Sequence, residues 1–213
     1  MALLSMNKVI FWIFIALPFL VFGETVYSPE HSYELIQLLG DGDRAAVYLA
    51  KREDSLLFAV KCYHHLVSAD EFIIAEKLQH PNIIFCTEFF IYEERAYLVM
   101  EYVQGRTLRE DVPQTKEKAI ENCFLFKSAI NYALEKNLVH IDLYCSNIMF
   151  DSEQNIKLID LESFEEKEGD YSYKKYLKNI RYILYQILLK ADFSPVERDS
   201  LLEEISALKI QKI

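Results

Sequence analysis

The chain predicts an α+β fold in two consecutive parts, and the spacing of its apolar residues carries that prediction. As far as Val103 the apolar residues come in short runs of strand length, separated by polar or glycine-containing turns. After Gln104-Gly105 they come mainly at helical spacing. A compact polar loop, flanked by short apolar segments at residues 138–141 and 147–150, interrupts the second part. No internal repeat and no low-complexity segment disturbs this order.

The elements follow in turn. Residues 33–39 read as a strand running into Gly40-Asp41-Gly42-Asp43, and residues 46–50 resume it. Residues 56–63 form a third apolar strand after a polar turn at 52–55. Residues 69–79 have helical periodicity and stop before Pro81. Residues 83–91 and 96–103 predict a hairpin closed by Glu93-Glu94-Arg95. In the second part, residues 115–136 form a long amphipathic helix, 156–159 a short apolar strand, and 173–190 and 196–208 the closing helices. The expectation is five strands and one helix, then a mostly helical unit.

Residues able to handle phosphate fall on this scaffold. Gly40 and Gly42 precede a resuming strand, and glycines let a backbone turn tightly and approach phosphate oxygens. Taken alone, such a pair also suits any hairpin turn. Lys61 lies inside an apolar strand, where an ammonium is costly unless it meets an anion. Glu71 and Glu76 both qualify as its partner. Five positions separate them, which puts them about 140° apart around a helix, so they do not share a face. In His140-Ile141-Asp142-Leu143-Tyr144-Cys145-Ser146-Asn147, Asp142 and Asn147 share one tight loop. Asp160 ends the strand at 156–159, and the intervening hairpin folds it back beside Asn147. This supplies one carboxylate to accept a hydroxyl proton, and an amide and a second carboxylate as hard oxygen ligands for Mg²⁺.

In that order these residues resemble the protein-kinase-like superfamily from about residue 33 to residue 164. Gly40, Gly42 and Val47 match its glycine-rich loop, Ala59-Val60-Lys61 its third-strand Ala-x-Lys, and His140-x-Asp142-x-x-x-x-Asn147 its catalytic loop. The family's helix glutamate precedes the proline of His-Pro-Asn-Ile by ten residues, and counting back from Pro81 gives Glu71. Asp160 matches the Asp of Asp-Phe-Gly. The resemblance implies a bilobal fold, with a five-stranded N-lobe at about 31–103 and a truncated, mainly helical C-lobe at about 104–213. It implies ATP and Mg as cofactors, with Asp142, Lys61 and Glu71 as catalytic residues and Asn147 and Asp160 as metal ligands. It places adenine against Val47, Ala59 and Met149, with Met100 as gatekeeper and the backbone of Glu101 and Val103 as hinge.

The departures point in a second direction. Ala45 replaces the third glycine, Ile141 the arginine of His-Arg-Asp, and Tyr144 the lysine that serine/threonine kinases keep beside the γ-phosphate. Asp160-Leu161-Glu162 stands for Asp-Phe-Gly, no Ala-Pro-Glu follows, and the remaining tail is too short for the usual late helices. Glu162 reads either as an extra metal oxygen or as a solvated acid leading into Glu165-Glu166-Lys167-Glu168. Arg44 in the glycine turn is a candidate to replace the charge lost at Tyr144. The catalytic loop and tail are similar to the kinases of lipopolysaccharide sugars and of aminoglycosides. The leading expectation is an atypical protein kinase acting on a hydroxyl. Alternatives are a small-molecule or lipopolysaccharide-sugar kinase, and a pseudokinase that binds nucleotide without transfer.

Residues 9–22 are uncharged and apolar, follow Lys8 and precede Gly23-Glu24, the plan of a secretory signal. The run is short for a membrane span and contains Pro18. Cleaved signal, uncleaved anchor and apolar helix packed on the fold are the three readings of residues 1–23. The first two imply export or membrane attachment; the third leaves the chain cytoplasmic or an effector. Across 213 residues, 52% hydrophobic content excludes a wholly disordered chain, and a net charge of −10 without a basic stripe argues against nucleic acid as a partner. Cys62, Cys86, Cys123 and Cys145 fit no zinc spacing; they read as buried thiols or as two disulfides.

Overall fold

The computed structural model describes residues 23–166 and 173–207. The expected targeting or anchoring segment at 9–22 lies outside them. No helix among the described residues is long and apolar enough to cross a membrane.

The first part is one antiparallel sheet built on strands β1 (Thr25–Tyr27), β2 (Ser32–Asp41), β3 (Ala45–Arg52), β4 (Leu57–Tyr63), β5 (Cys86–Tyr92) and β6 (Arg95–Glu101). Their order across the sheet is β1-β2-β3-β4-β6-β5. The sheet thus has six strands where the sequence predicts five. The additional strand is β1, whose three residues pair with Ser32–Glu34 directly after the leader-like segment. It is too short to show an alternating pattern of its own.

Alternation along the strands divides the sheet into two faces. One face buries Tyr33, Leu35, Tyr48, Val60, Cys62, Phe90, Tyr97 and Val99 together. The rings of Phe90 and Tyr97 stack with centroids 5.2 Å apart. The opposite face carries Ala45, Ala59, Tyr63, Leu98 and Met100 into a larger core shared with the helices. Lys61, between Ala59 and Tyr63, belongs to this second face. The far half of β2 runs out beyond both cores, leaving Leu38 and Leu39 exposed, and register shifts at Leu35/Gln37 and Leu38/Gly40 bend it. It ends in the glycine turn, where the Gly42 N–H donates to Ala45 O at 3.0 Å.

Helix α1 (Asp70–Lys77) packs beside β5, and its single buried acid is Glu71; Glu76 is exposed. The hairpin strand predicted from residue 83 begins only at Cys86. Residues 82–84 bond instead to the second part: Leu158 N donates to Asn82 O, Ile84 N to Leu158 O, and Asn82 Nδ2 to Ile156 O. These bonds latch the sheet to the strand that ends two residues before Asp160.

The second part begins with β7 (Arg106–Thr107). Gly105 precedes it because a Cβ there would lie 1.7 Å from Phe150 O. Helix α2 (Lys116–Glu135) is capped by the Thr115 hydroxyl, which accepts from Lys118 N at 3.1 Å. Strands β8 (Leu138–His140), β9 (Ile148–Phe150), β10 (Ile156–Leu158) and β11 (Phe164–Glu166) form two small antiparallel sheets, β10-β9-β7 and β11-β8. Helices α3 (Tyr173–Leu188) and α4 (Pro195–Ala207) close the fold, with Ile183, Leu184 and Ile187 buried in the larger core. All four cysteines are unpaired thiols.

Candidate active site

Lys61 is fixed by its strand and by a carboxylate. Its Nζ donates to Glu71 Oε2 at 2.7 Å, with both side chains largely buried. The Tyr63 hydroxyl, two positions along the same face, also donates to Glu71 Oε2. Burial lowers the Lys61 pKa, and the carboxylates of Glu71 and Glu162 more than reverse this, so its net shift is upward. The ammonium therefore stays charged. Burial and the adjacent Glu71 push the Tyr63 phenol well above its usual value, so it remains a donor.

Asp142, Asn147 and Asp160 converge as the sequence predicts. A single 3₁₀ turn at Cys145–Asn147 follows the Asp142 segment, with Asn147 N donating to Tyr144 O at 3.0 Å. Asn147 Nδ2 donates to Asp142 O at 2.9 Å, and lies 3.2 Å from Asp142 Oδ2 and 3.3 Å from Asp160 Oδ2. The β9–β10 hairpin brings Asp160 there, helped by Ile159 N donating to Asn147 O at 3.0 Å. At the other end of β10, the buried Asn122 amide fixes the strand by accepting from Ile156 N at 2.9 Å. His140 is wholly buried under the loop, and its Nδ1 accepts from Asp142 N at 3.3 Å. Burial holds its pKa down at about 4 against the pull of the Asp160 and Asp142 carboxylates, so it is neutral at pH 7.

Between the sheet and β9 lies a cavity of about 480 Å³. Gly40, Val47, Ala59, Met100, Glu101, Val103 and Met149 all line it, joined by Ile84 and Ile159. Gly42 does not; it sits at the tip of the glycine turn. At the rear of the cavity Glu101 N donates to Phe85 O at 2.9 Å, and the Glu101 carboxylate receives Lys157 Nζ on both oxygens at 2.7 Å. Among the described residues the Val103 N–H has no acceptor, which leaves it available to a ligand. An apolar slot beside the free Val103 N–H suits a flat heteroaromatic ring.

Residues 33–195 match the protein kinase domain. The chain belongs to the protein kinase family. It is 34% identical over 144 residues to the serine/threonine-protein kinase PrkC of Bacillus subtilis, which covers 60% of this chain and 22% of that relative. It is 30% identical over 147 residues to the NUAK family SNF1-like kinase 2 of Rattus norvegicus, covering 63% of this chain and 23% of the relative. The chain thus spans less than a quarter of the length of these curated relatives.

Within this protein kinase domain several contributors were not legible in the sequence. The Ser163 hydroxyl donates to Asp160 Oδ2 at 2.5 Å and orients that carboxylate. Glu162, which the sequence leaves between a metal oxygen and a solvated acid, is half-buried and paired with two cations. Its Oε2 receives Lys61 Nζ at 3.1 Å and its Oε1 the guanidinium of Arg44. Ile141, where the family carries arginine, is exposed, and its N–H donates to Ser163 O at 2.8 Å. The donor set fits a divalent cation. The Asn147 amide nitrogen is anchored by Asp142 O, which turns its oxygen outward to the exposed Ser146 hydroxyl, a donor at 3.2 Å that a cation can displace, and among the described residues Asp160 Oδ1 has no partner.

Proposed function

We propose that the chain is an ATP- and Mg²⁺-dependent phosphotransferase whose acceptor is a protein serine or threonine hydroxyl. The observation that carries this reading is the convergence of Asp142, Asn147 and Asp160 within one hydrogen-bonded cluster, tied through Glu162, two residues after Asp160, to Lys61 held by Glu71. The adenine ring would lie between Val47 and Ala59 on one side and Met149 on the other, with the Val103 N–H as its donor. Lys61 would bind phosphate oxygens, and Glu71 and Tyr63 would keep its ammonium in place. Asp142 would orient the acceptor hydroxyl and take its proton as the new O–P bond forms and the β–γ bridge bond breaks, releasing ADP. Magnesium held by Asn147 Oδ1 and Asp160 would supply neutralisation of the phosphate charge. The similarity to the serine/threonine-protein kinase of Bacillus subtilis supports a protein acceptor over a sugar.

The test is transfer of labelled γ-phosphate by the full chain to generic protein acceptors and to a sugar panel. Asp142→Ala should lower turnover by at least about 100-fold. Unaltered turnover in that variant overturns the assignment. Nucleotide binding with no transfer to any acceptor would favour a pseudokinase.

A further inference from the structure

We propose that Glu162 regulates nucleotide entry: its carboxylate occupies the phosphate position between Lys61 and Arg44 and yields it when phosphates arrive. This rests on reading the cleft as an ATP site. The geometry is specific. One carboxylate bridges two cations from separate elements, Lys61 on β4 and Arg44 in the glycine turn, each oxygen taking one of them. Two oxygens of a phosphate group make the same bridge. Glycine, the family's residue at this place, has no side chain to do so.

The members of this bridge differ in freedom. Lys61 is 13% exposed and tied to Glu71, so it stays. Arg44 is 77% exposed at the tip of a turn, so it moves easily. Glu162 stands on a backbone fixed on both sides, by Ile159 N bonding to Asn147 O and by Ile141 N bonding to Ser163 O. It therefore leaves by side-chain rotation, without unfolding its loop. Its carboxylate is paired with two cations, Lys61 and Arg44. Phosphates entering while it remained would place like charges around one ammonium that already holds Glu71. The exchange releases Arg44 to the phosphates. A ligand without phosphates needs no such exchange.

That difference gives the test. Binding of ATP and of adenosine is measured by calorimetry in Mg²⁺ for the full chain, for Glu162→Gln and for the same change in an Arg44→Ala background. Glu162→Gln should tighten ATP about fivefold, the scale of a partly exposed ion pair, and leave adenosine unchanged. In the Arg44→Ala background the gain should shrink. Equal tightening of ATP and adenosine would mean a general change of the cleft, and weaker ATP would mean that Glu162 serves the metal; either overturns the proposal. So does unchanged ATP binding while adenosine still binds. A wild-type chain that binds neither compound overturns the ATP-site reading itself.

Discussion

On β4, Val60 and Cys62 point to one face of the sheet, and Ala59, Lys61 and Tyr63 to the other. The first face is sealed with stacked aromatic rings and contains no charge among its buried members. The second has the same strands and the same alternation, yet it carries a buried ammonium, two carboxylates and a buried phenol donor. A buried ion pair contributes little net stability, because desolvation offsets most of its attraction. Face one therefore holds the sheet together, while face two holds a cation ready at the cleft. A residue's contribution to stability and its contribution to chemistry are separated here by a one-residue step along a strand.

A pair of substitutions sharpens that contrast. Lys61→Met should lower kcat by at least about 100-fold, since a preorganised cation aimed at the phosphates is lost. It also leaves the buried Glu71 carboxylate without its cation, held by the Tyr63 hydroxyl, at a cost of about 3 kcal/mol that adding Glu71→Gln should largely recover. Phe90→Ala, on the sealed face, should lower the unfolding free energy by about 3 kcal/mol through lost contacts and a cavity. The KM for ATP of the folded Phe90→Ala protein should stay within about twofold of wild type, since additivity holds between distant sites. Urea melts and steady-state kinetics on both variants check this. A Phe90→Ala protein with impaired nucleotide affinity would show that the two faces are coupled.

The same division appears in the second part of the chain as a pH effect. His140 is buried beneath Asp142 with a pKa near 4, against about 6.5 in an unfolded chain. The unfolded state therefore takes up a proton that the folded state refuses as pH falls through 6.5. Stability is full above that value and is lost toward pH 4, by about 2 kcal/mol at pH 5. Urea melts at pH 7 and pH 5 should show this loss, and His140→Asn should remove that share of it. An identical acid response in wild type and variant would mean that His140 is solvated in the folded protein.

What the sequence makes legible follows from how local each interaction is. Lys61 is visible because a cation in an apolar strand is anomalous by itself, and Asp142 with Asn147 because five positions on one loop suffice to bring them together. Glu71 and Glu76 cannot be distinguished by helical geometry alone; the family resemblance, counted from Pro81, selects Glu71, and burial agrees. The bridge from Arg44 to Glu162 joins residues 118 positions apart, and no local pattern announces it. Gly105 is visible as a break, but its cause, the carbonyl of Phe150 in the space of its Cβ, is tertiary. Strands β1, β7 and β11 have two or three residues each, too few to show a period.

The hairpin between β5 and β6 offers the mildest test of the contrast. Arg95 pairs with Tyr92, so the turn itself is only Glu93-Glu94, and both residues have positive φ, 47° and 64°. This is the two-residue geometry that Asn-Gly adopts with little strain, whereas a side chain such as glutamate adopts it at some cost. It also sets two like charges side by side at the edge of the sheet. Replacing Glu93-Glu94 by Asn-Gly should raise the unfolding free energy by about 1 kcal/mol. The turn lies at the end of strands whose rings fill the sealed face, remote from Lys61 and Asp142. Turnover and KM should therefore not move, and a change in either would mean that tightening the hairpin is transmitted through β6 to Met100 and the nucleotide cavity.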